Sequence, residues 1–123
     1  MGSNIKTVET EAFSGCGIKE ISIPTTVASI KGNAFASCLN LTTLSYPNQK
    51  IDYAATMFSG CTNLVTLIIT GEGDMQDYTA TTQPWNPVKT SITTVTLSEK
   101  ITSIRAFAFY GMTKLTKITL NED

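Results

Sequence analysis

Histidine is absent from the 123-residue chain. Its absence removes the commonest general base and metal ligand, and the only side chain whose charge ordinarily changes between about pH 5 and 8. Ser–His–Asp and Cys–His nucleophilic arrangements are excluded with it, as are zinc sites that need imidazole. Charge is also scarce: nine Lys and Arg face ten Asp and Glu, a net charge of −1, and 15% of residues are charged. Such a chain carries no basic footprint for nucleic acid. No apolar run approaches the roughly 20 residues that span a bilayer, so membrane insertion is not expected. No charged-then-apolar opening marks a signal peptide. Residues 1–4, opening MGS, read as an expression remnant, and residues 5–123 as a single domain.

Threonine is what the chain has in quantity, 21 residues of it. β-Branched side chains fit pleated, half-buried surfaces, so the composition leans towards strands. A repeat then becomes visible. Phe13, Phe35, Phe58 and Phe109 are separated by 22, 23 and 51 residues. Ile18, Ile21 and Ile23 recur as Leu41, Leu44 and Tyr46, as Leu64, Leu67 and Ile69, and as Leu115, Ile118 and Leu120. Each of these columns steps by 23, 23 and 51. The long step contains two units, because Ile92, Val95 and Leu97 repeat the triplet 23 residues before Leu115, Ile118 and Leu120. Residues 70–97 form an elongated, irregular unit that has lost its Ala-Phe and Cys.

The apolar-x-apolar ending of each triplet has period two, which predicts a short strand with one buried face. Pro24 and Pro47 follow and are expected to end it. "TVASI" (26–30) and "KITSI" (100–104) read as a second short strand or an extended bend. "NAFASC" does not alternate, and one helical or 3₁₀ turn is expected there. One unit cannot bury its own apolar face, but stacked units bury a continuous core.

"AFSGCGIKEISIPTTVASIKGNAFASCLNLTTLSYP" resembles the BspA-like branch of leucine-rich repeats. Ala-Phe, Cys, the apolar triplet and Pro recur together, over about residues 5–120. The resemblance implies a right-handed leucine-rich-repeat solenoid of about five repeats of about 23 residues. It would be β-rich, with short parallel strands and short helical or 3₁₀ turns. The resemblance further implies a surface or secreted bacterial protein that acts in adhesion or protein binding. It supplies no catalytic residues, so no enzyme is expected, and the partner is a protein or unknown. Departures from the pattern are Met57 for Ala, Met112 for Cys, and Thr70 and Ser98 for Pro.

Cys16, Cys38 and Cys61 share one column and would stack on adjacent coils as small apolar fillers. Parallel side-chain vectors suit disulfides poorly, and no C-x-x-C spacing suggests zinc. Neither metal nor cofactor is expected. Phe13, Phe35, Phe58, Phe109, Ile21, Leu44, Leu67, Val95 and Ile118 are expected in the core. Ser22, Ser45, Ile68, Thr96 and Thr119 lie between the last two apolar residues of each triplet and would face outward. Solenoids bind through such faces, although threonine is also an ordinary exposed strand residue. Met75, Tyr78 and Trp85 in the insert at 71–90 admit two readings. They fill the vacated core, or they form a recognition loop of the kind tryptophan and tyrosine serve at interfaces. Glu72, Asp74 and Asp77 read as a solvated acidic loop rather than a calcium site. Both ends of the array look cut, which suggests a piece of a longer array or self-association through exposed end coils. The alternative to a binding module is a spacer or stalk within a larger surface protein.

Overall fold

The computed structural model describes residues 4–121. The chain winds through five coils. Each coil gives one strand to a five-stranded parallel sheet built from β2 (Glu20–Ser22), β4 (Thr43–Pro47), β6 (Thr66–Thr70), β8 (Thr94–Ser98) and β10 (Lys117–Asn121). Register follows the sequence columns. Ile21 lies beside Leu44, Leu44 beside Leu67, Leu67 beside Val95 and Val95 beside Ile118. A narrower parallel sheet joins β1 (Thr7–Val8), β3 (Ser29–Ile30) and β5 (Asp52–Tyr53). It breaks off there and resumes as a separate pair, β7 (Gly73–Asp74) with β9 (Ile101–Ser103).

Alternation sets the burial. Leu44, Leu67 and Val95 are sealed inside with Tyr46, Ile69 and Leu97, while the residues between them face outward. Pro47 is the last residue of β4 rather than a stop before it, and pairs in register with Thr70.

The Ala-Phe segments are not helical. Among the described residues the one helix is a 3₁₀ turn at Asn86–Val88, inside the insert. Around Phe13 and Phe35, the residues two before and two after take the left-handed conformation: Glu11 (φ 58°), Gly15 (φ 71°), Asn33 (φ 56°) and Ser37 (φ 57°). Alternate N–H groups therefore close tight turns, Ala34 to Lys31 and Ala36 to Asn33. The N–H groups between them reach the next coil, Phe35 to Met57 at 2.8 Å and Ser37 to Ser59 at 2.7 Å. A helix would keep all these donors within the coil. This geometry shares them with the neighbouring coil.

The phenylalanines stack along the axis, Phe13 on Phe35 and Phe35 on Phe58, each pair 5.3 Å apart. Such a pair contributes about 0.5–1.5 kcal/mol beyond its area burial. Depth in the array decides which columns are enclosed. Phe35 and Phe58 are fully buried, but Phe13 is 37% exposed and Ile118 48% exposed. The expectation that both are core is corrected, because they sit on the outermost described coils, where no further coil covers them. Cys16, Ile21 and Phe109 are half-buried for the same reason.

Truncating Phe58 to Ala is expected to cost about 3–5 kcal/mol, the range for a sealed aromatic. Phe13→Ala is expected to cost less than half of that. Urea denaturation of the two variants measures the difference.

Candidate functional site

The fourth coil lacks an Ala-Phe segment, and Trp85 takes its place. Its side chain is 2% exposed. It stacks on Phe109 at 6.4 Å and meets Tyr46 and Tyr78 edge-on at 6.2 and 5.5 Å. In the first coils the backbone N–H of the phenylalanine bonds the carbonyl just before the next phenylalanine, Phe13 to Ala34 and Phe35 to Met57. Here Trp85 Nε1 donates to Ala108 O at 2.9 Å, the carbonyl just before Phe109. The indole thus replaces both the missing ring and the missing donor. Gln83, 1% exposed, assists: its Nε2 donates to Phe107 O. Met75 is buried as well. Of the two readings of the insert, core filling is the one these positions match. A water-exposed Trp85 recognition loop is corrected: the vacated aromatic slot draws the indole in. Tyr78 is half-buried.

The five extra residues leave a groove of about 310 Å³ where the second sheet is interrupted. Tyr46, Ile51, Tyr53, Gln76, Tyr78 and Thr82 are among its walls. Tyr53 donates its hydroxyl to Thr82 O, tying the insert to the third coil. Burial pushes the Tyr78 phenol up to about 12 and raises those of Tyr46 and Tyr53, so all three stay protonated at neutral pH. The Tyr46 side chain is 2% exposed, and its hydroxyl has no hydrogen-bond partner among the described residues. At the rim, Arg105 pairs with Asp77 at 3.1 Å and Asp74 at 3.5 Å, and Thr102 Oγ1 donates to Asp74 at 2.7 Å. The Thr102 bond, then Ser103 and Arg105, hold the Asp74 carboxyl below the usual range. The acidic loop thus has protein partners for Asp74 and Asp77.

The family model for the BspA type leucine rich repeat region matches residues 1–79 and 88–123 in six copies, passing over the centre of the insert. The chain belongs to the BspA-type leucine-rich-repeat family. Nothing matches among curated proteins. A leucine-rich repeat protein from Bacteroides ovatus shares the fold, with a TM-score of 0.57 and 19% identity over 95% of this chain and 36% of that one. A leucine rich cell surface protein from Faecalibacterium prausnitzii aligns with a TM-score of 0.40 and 20% identity, over 86% of this chain and 33% of that one. The chain therefore spans about a third of the length of these solved structures.

In this BspA-type array the outward face of the five-stranded sheet carries Ser22, Ser45, Ile68, Thr96 and Thr119 in one row. Glu20, Thr43, Thr66, Thr94 and Lys117 form the row beside it. Charge appears only at the two edges, Glu20 and Lys117. The cysteines stay free. Cys38 Sγ donates to Phe13 O at 3.2 Å and Cys61 Sγ to Phe35 O at 3.0 Å. Burial raises both thiols, which leaves them unreactive ties between coils. Periodicity gave no sign of these thiol bonds, nor of the role of Gln83. A glutamine in the insert looks like a loop residue until the carbonyl it answers is known. No helix among the described residues is long and apolar enough to cross a membrane.

Removing the Trp85 side chain (Trp85→Ala) is expected to cost about 3–5 kcal/mol, as for a sealed core aromatic. Tyr46→Phe is expected to leave stability unchanged or raise it, by up to about 1–3 kcal/mol, since it deletes a buried hydroxyl without a partner. Denaturant midpoints of the two variants should move in opposite directions or differ by at least the cost of Trp85→Ala.

Proposed function

We propose that the chain is a protein-binding module of a bacterial cell-surface or secreted adhesin, and that it binds with the outward face of its five-stranded sheet. One observation carries this reading: the centre of that face, Thr43, Ser45, Thr66, Ile68, Thr94 and Thr96, has no charge, and charge stands only at its edges. Charged residues are depleted at interface centres, and a row of hydroxyls around one isoleucine avoids the cost of desolvating a full charge while offering hydrogen bonds to a partner. Placement outside the cell rests on membership of the BspA-type family. The proposed role is binding without catalysis, with no cofactor.

Size sets a condition on it. Five strands about 4.8 Å apart and about five residues long make a face of roughly 20 by 15 Å. That is less than half of the roughly 800 Å² a standard interface takes from each partner. Tight binding therefore needs either the flanking loops or further coils beside these. A second reading, a spacer with no ligand of its own, draws on a different observation. The insert buries its tryptophan in the core instead of presenting it, which preserves a continuous rod.

The double variant Ile68→Lys, Thr96→Glu separates the two. Retention of the chain on immobilised extracellular-matrix proteins is expected to be lost in the variant. Its stability should stay within about 0.5 kcal/mol of the parent, as for other surface changes. Equal retention of parent and variant, or no retention of either, contradicts binding by this face.

A further inference from the structure

The gap in the second sheet has a chemistry of its own. Asp52 and Ala54 donate their N–H groups back to Ala28 and Ile30. The alternation of a strand then turns the backbone groups of Ile51 and Tyr53 toward the fourth coil. In the earlier coils the equivalent carbonyls are answered: Lys6 and Val8 accept from Ala28 and Lys31, as Ala28 and Ile30 accept from Asp52 and Ala54. At the next step no donor among the described residues answers. Gly73 and Met75 send their N–H groups the other way, to Lys100 and Ser103. The Asp74 carbonyl is taken by Asn48 Nδ2 at 3.0 Å. No backbone hydrogen bond joins residues 50–54 to residues 72–78.

We infer that this break is a docking site for an extended, uncharged peptide that pairs with β5 by strand addition. An unpaired strand edge is answered most fully by another backbone, which supplies donors at the ladder spacing. The groove of about 310 Å³ beside β5 admits a short segment rather than a folded domain. Its occupant should carry a hydrogen-bonding side chain, such as Ser, Thr or Asn, at an inward position. Tyr46 lines the groove, and its buried hydroxyl, without a partner among the described residues, gives the second, independent sign of a ligand. Neutrality follows from the walls. Lys50 and Asp77 both line the groove, and Arg105 is shared between Asp77 and Asp74, so two acidic and two basic groups balance there. The site shares no residue with the outward face of the long sheet and does not depend on it.

The test pans a displayed random heptapeptide library against the whole chain, then resynthesises the retained sequences with capped ends. Amide shifts in the NMR spectrum are expected to concentrate at Ile51 and Tyr53. N-methylating the peptide at one set of alternate positions should weaken binding by about tenfold or more, and at the other set hardly at all. That phase dependence is the signature of strand pairing. Tyr46→Phe should weaken binding by roughly three- to tenfold, about one hydrogen bond, without lowering the melting temperature. Ile68→Lys with Thr96→Glu should leave peptide affinity unchanged, so failure of the sheet face and failure of the groove are told apart. The inference is overturned if no peptide is retained, if the shifts map to the outward residues of the long sheet instead, or if N-methylation has no phase.

Discussion

The first three coils of this protein are joined through one arrangement: a tight turn whose alternate donors leave for the next coil. Phe13, Phe35 and the residues around them give their N–H groups to the following coil, and the rings stack in the same direction at 5.3 Å. Cys38 and Cys61 tie back to the preceding phenylalanine carbonyls. Backbone groups in so small a unit have few internal partners, and a buried group without one costs about as much as a lost hydrogen bond. Stacking is therefore what satisfies the backbone as well as what buries the core. Coils at the ends of the described array show the converse, with Phe13 and Ile118 left partly in water.

The fourth coil shows how strictly that arrangement must be kept. Its segment is five residues longer and has neither Ala-Phe nor Cys, yet the next coil still presents the Ala108 and Phe107 carbonyls. Two side chains answer them, Trp85 through Nε1 and Gln83 through Nε2. The repair carries the core across the aromatic side of the coil, although Gln83 Oε1 and Asn86 Oδ1 have no partner among the described residues, and it does not extend to the second sheet. There the extra length carries β7 out of phase with β5, and a groove opens. Continuity of the core and discontinuity of the second sheet thus have one cause, and the groove is the place where this coil differs from a regular one.

Much of this was legible in the residues. The columns through Leu44, Leu67 and Val95 and through Phe35 and Phe58 predicted the register of the long sheet, because a period-two strand inside a 23-residue repeat has one way to bury its face. The outward row from Ser22 to Thr119 followed from the same parity. The turns were not legible. "NAFASC" lacks alternation and so resembles a helical turn, but Asn33 and Ser37 adopt positive φ without glycine to announce it. Nor does periodicity indicate how far each column is enclosed, which depends on how many coils lie on either side. Core filling by Trp85 was one of two readings the residues left open, but its hydrogen bond and that of Gln83 were hidden for another reason. Both side chains stand in for backbone donors, and a side chain in that role need not share the spacing of what it replaces.

The claim that the fourth coil is held in the array by an indole sealed in the phenylalanine slot is tested most directly by fluorescence. Trp85 is the chain's only tryptophan, so its emission reports this slot alone. A blue-shifted maximum, shielded from acrylamide until the chain unfolds, is the predicted result. A red-shifted maximum that acrylamide quenches freely in the folded protein would contradict it, and would mean that the coils above and below the insert are joined in some other way.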